Sequence, residues 1–298
     1  MCGCSCGVIL RLLILVAPPA LVGAGAGKAQ RSFGGCYKSD FKSTTTFSYL
    51  RGQGFPMPEG EGGDVLSCML RHSHSQHGED VLLLPTLSYI TGGRPGVFVE
   101  IGANDGMYMS NTIGLERCLN WTGLLIEANP TTFKTLRYHY HKGCRSAQIV
   151  NSGACEGKGN IHMTRWGGVT SRDVNEMSPE FRARFDRRNG NKTVRVGCEP
   201  LGSLMDKAGI ARANLLSLDV EGSEGKVLST VDTARFDAIL VESDGTNPEK
   251  EQRVHEMATR GGHIRANFSP LQPKQSRLYL RPKTQHSRAD KTRSRPLA

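Results

Sequence analysis

Short apolar runs alternate with amphipathic stretches through the central part of the chain. The runs are rich in Val, Ile and Leu and predict buried strands, and the segments between them have the spacing of helices. This alternation predicts an α/β fold with a doubly wound, mostly parallel sheet and helices on both faces. The predicted strands are Val97–Ile101, Gly123–Glu127, Ala147–Asn151, Asn160–Thr164, Thr193–Cys198, Asn214–Asp219, Ala238–Glu242, His263–Asn267 and Arg277–Leu280. The predicted helices are Leu66–Ile90 in two pieces, Asn111–Cys118, Thr131–His141, Leu201–Ala208, Glu224–Leu228 and Lys250–Arg260.

The ends of the chain differ from this central part. An apolar stretch over residues 8–22 is interrupted by Arg11 and a Pro-Pro pair, and small residues suited to cleavage follow it. We expect residues 1–26 to be a secretory signal peptide, with an uncleaved membrane anchor or a disordered leader as alternatives. Residues 27–63, rich in Gly, Ser, Thr and Lys, are expected to form a flexible stem, residues 64–281 the folded domain, and residues 282–298 a basic disordered tail.

Charge argues against a nucleic-acid partner. The formal net charge is +10, but the stretch from Leu271 to the end holds eight Lys or Arg and one Asp, and so carries +7 of it. The rest of the chain is close to balanced, and the basic tail lacks the interleaved aromatic side chains that stack on bases. We therefore expect no nucleic acid among the partners.

Cysteine content indicates an exported protein. Removal of the leader leaves an even set of six cysteines, which favours a disulfide framework formed in the secretory pathway. The six are Cys36, Cys68, Cys118, Cys144, Cys155 and Cys198. Cys118 and Cys144 bracket one predicted βα unit, so we expect a bridge between them; six reduced thiols are the alternative. Three Asn-x-Ser/Thr sequons predict a glycoprotein, and no Cys-x-x-Cys spacing occurs, so no metal is expected.

Two predicted strands end in carboxylates of the kind found in nucleotide-type cofactor sites. Glu100 lies in the strand that runs into a turn bearing Gly102 and Gly106, and Glu127 ends the next strand. An acidic residue in this second position accepts hydrogen bonds from both ribose hydroxyls. The spacing of the two glycines does not fit a pyrophosphate, and Glu100 suits a ligand with a cationic end. This favours S-adenosylmethionine over a nucleotide or an empty fold, although Glu100 alone would also fit a helix cap or a surface carboxylate.

A third carboxylate-bearing strand end is the best candidate for the reacting part of the site. Asp219 ends the apolar strand Asn214–Asp219 and Glu221 follows it, at the sheet edge where ligands bind in parallel α/β folds. Either carboxylate could hold the methionine ammonium or accept the proton of an acceptor hydroxyl. The alternative is that Asp219 caps the helix that begins near Ser223.

Several motifs, in this order along the chain, together resemble the FkbM family of S-adenosylmethionine-dependent methyltransferases. The resemblance covers about Ser75–Tyr279 and rests on Ser75-Gln76-x-Gly78-Glu79-Asp80, Phe98-Val99-Glu100-Ile101-Gly102-Ala103-Asn104-Asp105-Gly106, Ser110-Asn111-Thr112, Leu115-Glu116, Trp121-x-Gly123-Leu124-Leu125-Ile126-Glu127-Ala128-Asn129-Pro130 and Leu218-Asp219-Val220-Glu221-Gly222-Ser223-Glu224. It implies an O-methyltransferase with the class I methyltransferase (Rossmann-like) fold. Asn104 and Asn129 join the expected cofactor-binding residues, and Asp80 and Gln76 the expected acceptor-side residues.

Two functions remain open from the sequence. The first is an O-methyltransferase of the secretory pathway, located in the endoplasmic reticulum or Golgi lumen or secreted, that acts on a sugar, a glycan or another hydroxylated acceptor. The second is a non-catalytic binding or trafficking module that keeps the methyltransferase fold. Glu100, Gly102, Gly106, Glu127 and Asp219 are all present, which favours the enzyme.

Overall fold

The structure is a computed structural model that describes residues 36, 52, 65–165, 173–174, 192–243, 247–267 and 275–282. The helices in these ranges are α1 (Val65–His72), α2 (Glu79–Thr91), α3 (Ile113–Leu119), α4 (Pro130–His141), α5 (Leu201–Lys207), α6 (Glu224–Leu228) and α7 (Pro248–Arg260), with one 3-10 turn (Thr233–Arg235). The strands are β1 (Val97–Ile101), β2 (Thr122–Glu127), β3 (Gln148–Asn151), β4 (Gly153–Ala154), β5 (Gly159–Thr164), β6 (Thr193–Glu199), β7 (Ala213–Leu218), β8 (Phe236–Glu242), β9 (Ile264–Ala266) and β10 (Ser276–Leu280).

Seven of the strands form one sheet in the order β3-β2-β1-β7-β8-β10-β9. Pairing is parallel from β3 to β8, and β10 is antiparallel to both β8 and β9. The strand order reverses beside β1, because β2 lies on one side of it and β7 on the other. A ligand crevice is expected at such a reversal, outside the carboxyl ends of the strands. The fold is thus the predicted α/β fold with a mostly parallel sheet.

Helices cover both faces of this sheet, as alternation along β1 shows. Val99 and Ile101 belong to a core cluster shared with α5, α6 and α7, whereas Phe98 belongs to a second cluster shared with α1, α2, α3 and α4. Successive side chains of a strand point to opposite faces, so each face buries its own apolar layer. Glu100 is on the Phe98 face, where it is an acidic side chain beside an otherwise apolar layer.

Three short strands form a second sheet in the order β4-β6-β5. β5 and β6 form an antiparallel pair from Gly159↔Cys198 to Thr164↔Thr193, and the two-residue strand β4 pairs in parallel with the end of β6. The sequence predicted β5 and β6 but not β4. A strand of two residues, Gly153 and Ala154, has no period to detect.

Three disulfides link the six cysteines, and they correct the expected Cys118–Cys144 bridge. The bridges are Cys36–Cys144, Cys68–Cys118 and Cys155–Cys198, with Cα–Cα distances of 5.3, 5.7 and 5.7 Å. Cys118 lies on α3, which packs closely against α1, so its partner is Cys68 of α1. The pairing predicted from proximity along the chain was wrong, because the side chain of Cys118 is turned toward α1.

Several sequence expectations lie outside the described residues. These are the signal peptide, nearly all of the stem and nearly all of the basic tail. Within the described ranges, none of the helices combines the length and the apolar character that a membrane crossing requires.

Candidate functional site

A cavity of about 240 Å³ opens at the carboxyl edge of the sheet. The ends of β1, β2, β7 and β8 form its floor, and residues of β4 and β5 form one wall. The expected site residues that line it are Glu100, Gly102, Asn104, Glu127, Asp219 and Glu221. The position beside the reversal of strand order is where the fold predicts a ligand.

The turn after β1 is held against the neighbouring strands by its backbone. The N–H groups of Gly102 and Ala103 donate to the carbonyl of Ile126, at 3.0 and 3.1 Å. Gly102 has a φ of 79°, and a Cβ there would lie 1.7 Å from the carbonyl oxygen of Asp219. The sequence therefore identified a glycine that the fold requires, because the space that a side chain would occupy is filled by the backbone of Asp219. A Gly102→Val substitution would disturb this packing and so would affect the fold as well as the ligand site.

Glu127 has the geometry expected of a ribose-binding carboxylate. Its two oxygens accept hydrogen bonds from the backbone N–H groups of Asn104 (2.9 Å) and Asn129 (2.7 Å). These contacts fix the carboxylate at the cavity wall, and each oxygen keeps a lone pair for a ligand hydroxyl. Burial raises the pKa of Glu127 to about 7, although the two N–H donors act in the opposite direction. Asn104 itself has a φ of 50°, a left-handed conformation that is uncommon outside glycine.

Glu100 organises the segment that leads into α3. Its carboxylate accepts hydrogen bonds from the Ser110 hydroxyl (2.9 Å), the Asn111 backbone N–H (2.9 Å) and the Thr112 hydroxyl (2.6 Å). Glu100 is only 4% exposed, so it is not a surface carboxylate. It lines the cavity and at the same time holds the residues just before α3.

Arg145 supports the same segment from beneath. Its guanidinium is 1% exposed and donates to Glu116 at 2.9 Å, to the Thr112 hydroxyl at 2.8 Å and to the carbonyl of Gly106. It also lies 3.8 Å from the Glu100 carboxylate. Arg145 could not be identified from the sequence, since an arginine just after a helix is usually exposed and only the tertiary fold brings the acceptors around it.

Carboxylates cluster where β7 and β8 end. Asp219, Glu221 and Glu242 each offer an oxygen, and these oxygens lie within 4.8 Å of one another. Burial raises the pKa of Asp219 well above its usual value, and a hydrogen bond and charge repulsion from Glu242 raise it further. Asp219 therefore holds its proton more tightly than an exposed carboxyl group does. This spacing would also accommodate a divalent cation, a role that the sequence analysis did not assign.

The loop after β7 is shaped by Glu224. Its Oε1 accepts hydrogen bonds from the N–H groups of Val220 (3.3 Å) and Gly222 (2.8 Å). Glu221 between them has a φ of 56°, a strained conformation of the kind that is frequent at functional sites. Ser223 occupies the N-cap position of α6. Asp219 is thus a cavity residue and not the cap of this helix.

Three expected site residues do not line the cavity. Asp80 is buried, and its Oδ1 accepts hydrogen bonds from the hydroxyls of Ser73 and Ser75, both at 2.6 Å. Asn129 is the N-cap of α4, where its side chain accepts from the Thr131 N–H and donates to the carbonyl of Thr164. A Cβ on Gly106 would lie 2.4 Å from Leu136, so this glycine is required for packing against α4.

Three further polar residues line the cavity. One of them is Gln76, which was expected on the acceptor side and which also lines a small second space beside the cavity. Glu242 and Gln275 line both spaces as well, and Gln275 contacts His77 through a 3.1 Å hydrogen bond. Gln275 lies just before β10, a long way from the other motifs in sequence, so only the folded chain shows its place.

The fold and the cavity are those of a Rossmann-like α/β protein with a ligand site where the strand order reverses. The description "Methyltransferase FkbM domain" belongs to the family whose profile matches residues 100–276, more than half of the chain. The protein is a member of the FkbM methyltransferase family. Family membership confirms S-adenosylmethionine as the cofactor, and the buried carboxylate of Glu127 beside the turn after β1 fits its ribose.

Solved structures with a similar fold include several methyltransferases. An FkbM methyltransferase from Methylobacillus flagellatus is 12% identical, with 79% of this chain and 58% of that chain covered and a TM-score of 0.39. An O-methyltransferase from Bacillus cereus in complex with SAH is 12% identical, with 80% and 99% covered and a TM-score of 0.39. A precorrin-6y C5,15-methyltransferase from Geobacter metallireducens is 12% identical, with 70% and 88% covered and a TM-score of 0.36. No curated protein matches the chain.

Proposed function

We propose that this methyltransferase transfers the methyl group to a hydroxyl of a sugar, a glycan or another hydroxylated acceptor. The observation that carries this proposal is the arrangement of carboxylates in one cavity. Glu127 lies on the cofactor side, and the pair Asp219–Glu242 lies where β7 and β8 end. An alcohol must lose a proton as it is methylated, and a carboxylate beside it can accept that proton.

Each carboxylate of the cavity has a separate role in this proposal. Glu127 would hold the ribose hydroxyls of the cofactor, and Glu100, Asp219 and the turn after β1 would line the space for its methionine part. The cofactor supplies an electrophilic methyl group on sulfur. Asp219 in its ionised form accepts the hydroxyl proton while the new carbon–oxygen bond forms and the carbon–sulfur bond breaks. The high pKa of Asp219, raised by burial and by Glu242, favours this proton transfer. Most of the rate acceleration comes from alignment of the hydroxyl with the methyl carbon.

We place this reaction in the secretory pathway. Three disulfides within one domain support this location, because such bridges form and persist in an oxidising compartment. The apolar N-terminal stretch serves in this proposal as a signal peptide or as a membrane anchor.

The test is an acceptor screen with purified secreted protein and S-adenosylmethionine, read out as S-adenosylhomocysteine formation and as the mass of each product. Hydroxylated acceptors are expected to gain one methyl group. Asp219→Asn should lower single-turnover rates at least a hundredfold while cofactor affinity falls less, because a proton acceptor contributes mainly in the transition state. Glu249→Gln, which changes an exposed carboxylate of α7, is the matched control.

Cofactor binding without transfer to any hydroxyl would favour the non-catalytic module instead. Near-normal turnover in Asp219→Asn would remove the proton-acceptor role of Asp219 and direct attention to Glu221.

A further inference from the structure

The cavity has a small inner lobe on the face of the sheet that also carries Glu100 and Ser217. This lobe has a volume of about 20 Å³, and it lies beside the main cavity, with which it shares five lining residues. Space of this size admits about one water-sized group. The shared lining residues are Gln76, Met109, Asp219, Glu242 and Gln275, and those found only in the inner lobe are Glu79, Asn111, Leu218, Leu240 and Ser276.

Asn111 is fixed in this lobe by two hydrogen bonds. Its backbone N–H donates to Glu100 at 2.9 Å, and its Nδ2 donates to the Ser217 hydroxyl at 3.1 Å. Glu100 and Ser217 are paired across β1 and β7, so the sheet itself sets the orientation of the amide. The side-chain oxygen of Asn111 is consequently held in one direction.

That oxygen is buried and accepts no hydrogen bond among the described residues. A buried carbonyl oxygen without a donor is destabilising, and such groups in native proteins usually have a partner or a functional reason. A group that enters the lobe and donates a hydrogen bond would satisfy it. The lobe therefore selects a donor of about the size of one hydroxyl.

The charges around the lobe narrow the choice further. Glu79, Asp219 and Glu242 line it, and no Lys or Arg is among its described lining residues. Glu79 is already engaged, since its Oε1 accepts from the Ser276 hydroxyl at 2.9 Å and its Oε2 from the His77 N–H at 2.8 Å. An acidic substituent of the acceptor would be repelled here, whereas a neutral hydroxyl would not.

We propose that the inner lobe is the hydroxyl subsite of the acceptor, and that Asn111 Oδ1 orients the acceptor by receiving a hydrogen bond from a neutral hydroxyl group. Asn111 is then a specificity-determining residue. This inference rests on the proposed function, because it concerns the acceptor of the same reaction. It adds that a second hydroxyl of the acceptor, which is not methylated, enters the lobe, and that a carboxylate or a phosphate is excluded from this position.

The first test uses crystals of the full chain with S-adenosylhomocysteine, soaked in methanol or, separately, in acetonitrile. Methanol can donate a hydrogen bond and acetonitrile can only accept one. We expect the methanol oxygen in the lobe at about 2.5–3.0 Å from Asn111 Oδ1, no acetonitrile there, and no methanol in Asn111→Leu crystals. Acetonitrile in the lobe would mean that the amide donates into it, and would overturn the proposal, as would methanol absent from the wild-type lobe.

The second test compares the acceptor found by the screen with its monodeoxy analogues. Asn111→Leu should lower kcat/KM about tenfold for the acceptor and have no further effect on one deoxy analogue, while cofactor affinity stays unchanged. Equal losses for all analogues would indicate a structural effect and overturn the proposal. The methanol result does not depend on turnover, so failure of the acceptor screen would affect the proposed function and leave the subsite to be decided by the crystals.

Discussion

Replacement of Arg145 by Met is expected both to destabilise the fold and to loosen the segment between β1 and α3. The guanidinium is buried and holds Glu116, Thr112 and the Gly106 carbonyl at once. Methionine has a similar length but donates no hydrogen bond. Glu116 would keep its contacts with the N–H and hydroxyl of Ser146, but it would lose the only charge that the structure places against its Oε2 among the described residues.

The size of the effect follows from the burial of this pair. Loss of one partner of a buried ion pair costs about 3–5 kcal/mol, because the other charge is left uncompensated. For a domain of this size such a loss lowers Tm by about 10 °C. Adding Glu116→Gln to Arg145→Met should recover part of the loss, since the uncompensated charge is then removed. Arg145 also supports Glu100 through the shared segment, so cofactor affinity should fall about tenfold.

The assay is equilibrium unfolding in urea with the disulfides intact, followed by circular dichroism, together with calorimetric titration of S-adenosylmethionine. Arg212→Met is the matched control. Arg212 pairs with Asp237 at 3.3 Å, and the Arg212 side chain is 53% exposed, so its loss should cost only about 0–1 kcal/mol. If Arg145→Met and Arg212→Met cost the same, the reasoning about the buried network is refuted.

The remaining predictions concern two raised pKa values and the disulfides. Burial raises the pKa of Glu127 to about 7, and the ligand needs the ionised form, so affinity for S-adenosylmethionine should rise about tenfold from pH 6 to pH 8, with no such rise in Glu127→Gln. Burial raises the pKa of Asp80 to about 7, so between about pH 4 and pH 7 the folded state binds a proton that the unfolded state does not, and the free energy of unfolding falls by about 1.4 kcal/mol per pH unit as pH rises. Urea unfolding of Asp80→Asn should lack this contribution to the pH dependence, and the same pH dependence in the variant would contradict the prediction. Non-reducing peptide mapping should recover Cys68–Cys118, and its removal should cost about 4 kcal/mol of unfolding free energy, whereas a Cys118–Cys144 peptide would disprove the pairing.

The sequence predicted the order and kind of nearly all elements because their signals are local. Strand runs such as Val97–Ile101 are apolar and continuous, and the two helical pieces within 66–90 are separated by a polar segment, as found in α1 and α2. Glu100, Glu127 and Asp219 could be placed for the same reason, since each ends or lies in a strand that reaches the ligand edge of the sheet.

Features that depend on long-range contacts could not be predicted in this way. The partner of Cys118 depends on the packing of α3 against α1, and the burial of Arg145 depends on acceptors that lie 29 to 39 residues earlier in the chain. Asn129 and Gly106 belong to the same motifs as cavity residues, but they cap a helix and pack against one. A motif marks a neighbourhood, and only the fold decides which of its side chains reach the ligand.

The central claim is that this cavity binds S-adenosylmethionine with Glu127 on the ribose. Its most direct test is calorimetric titration of S-adenosylmethionine into the wild-type protein, Glu127→Ala, Glu127→Gln and the exposed control Glu249→Ala. Each charge-assisted hydrogen bond to the ribose is worth roughly 1.5–3 kcal/mol, so we expect binding to the wild type and the control and at least tenfold weaker binding to both Glu127 variants. Unchanged affinity in folded Glu127→Gln and Glu127→Ala protein would contradict the account.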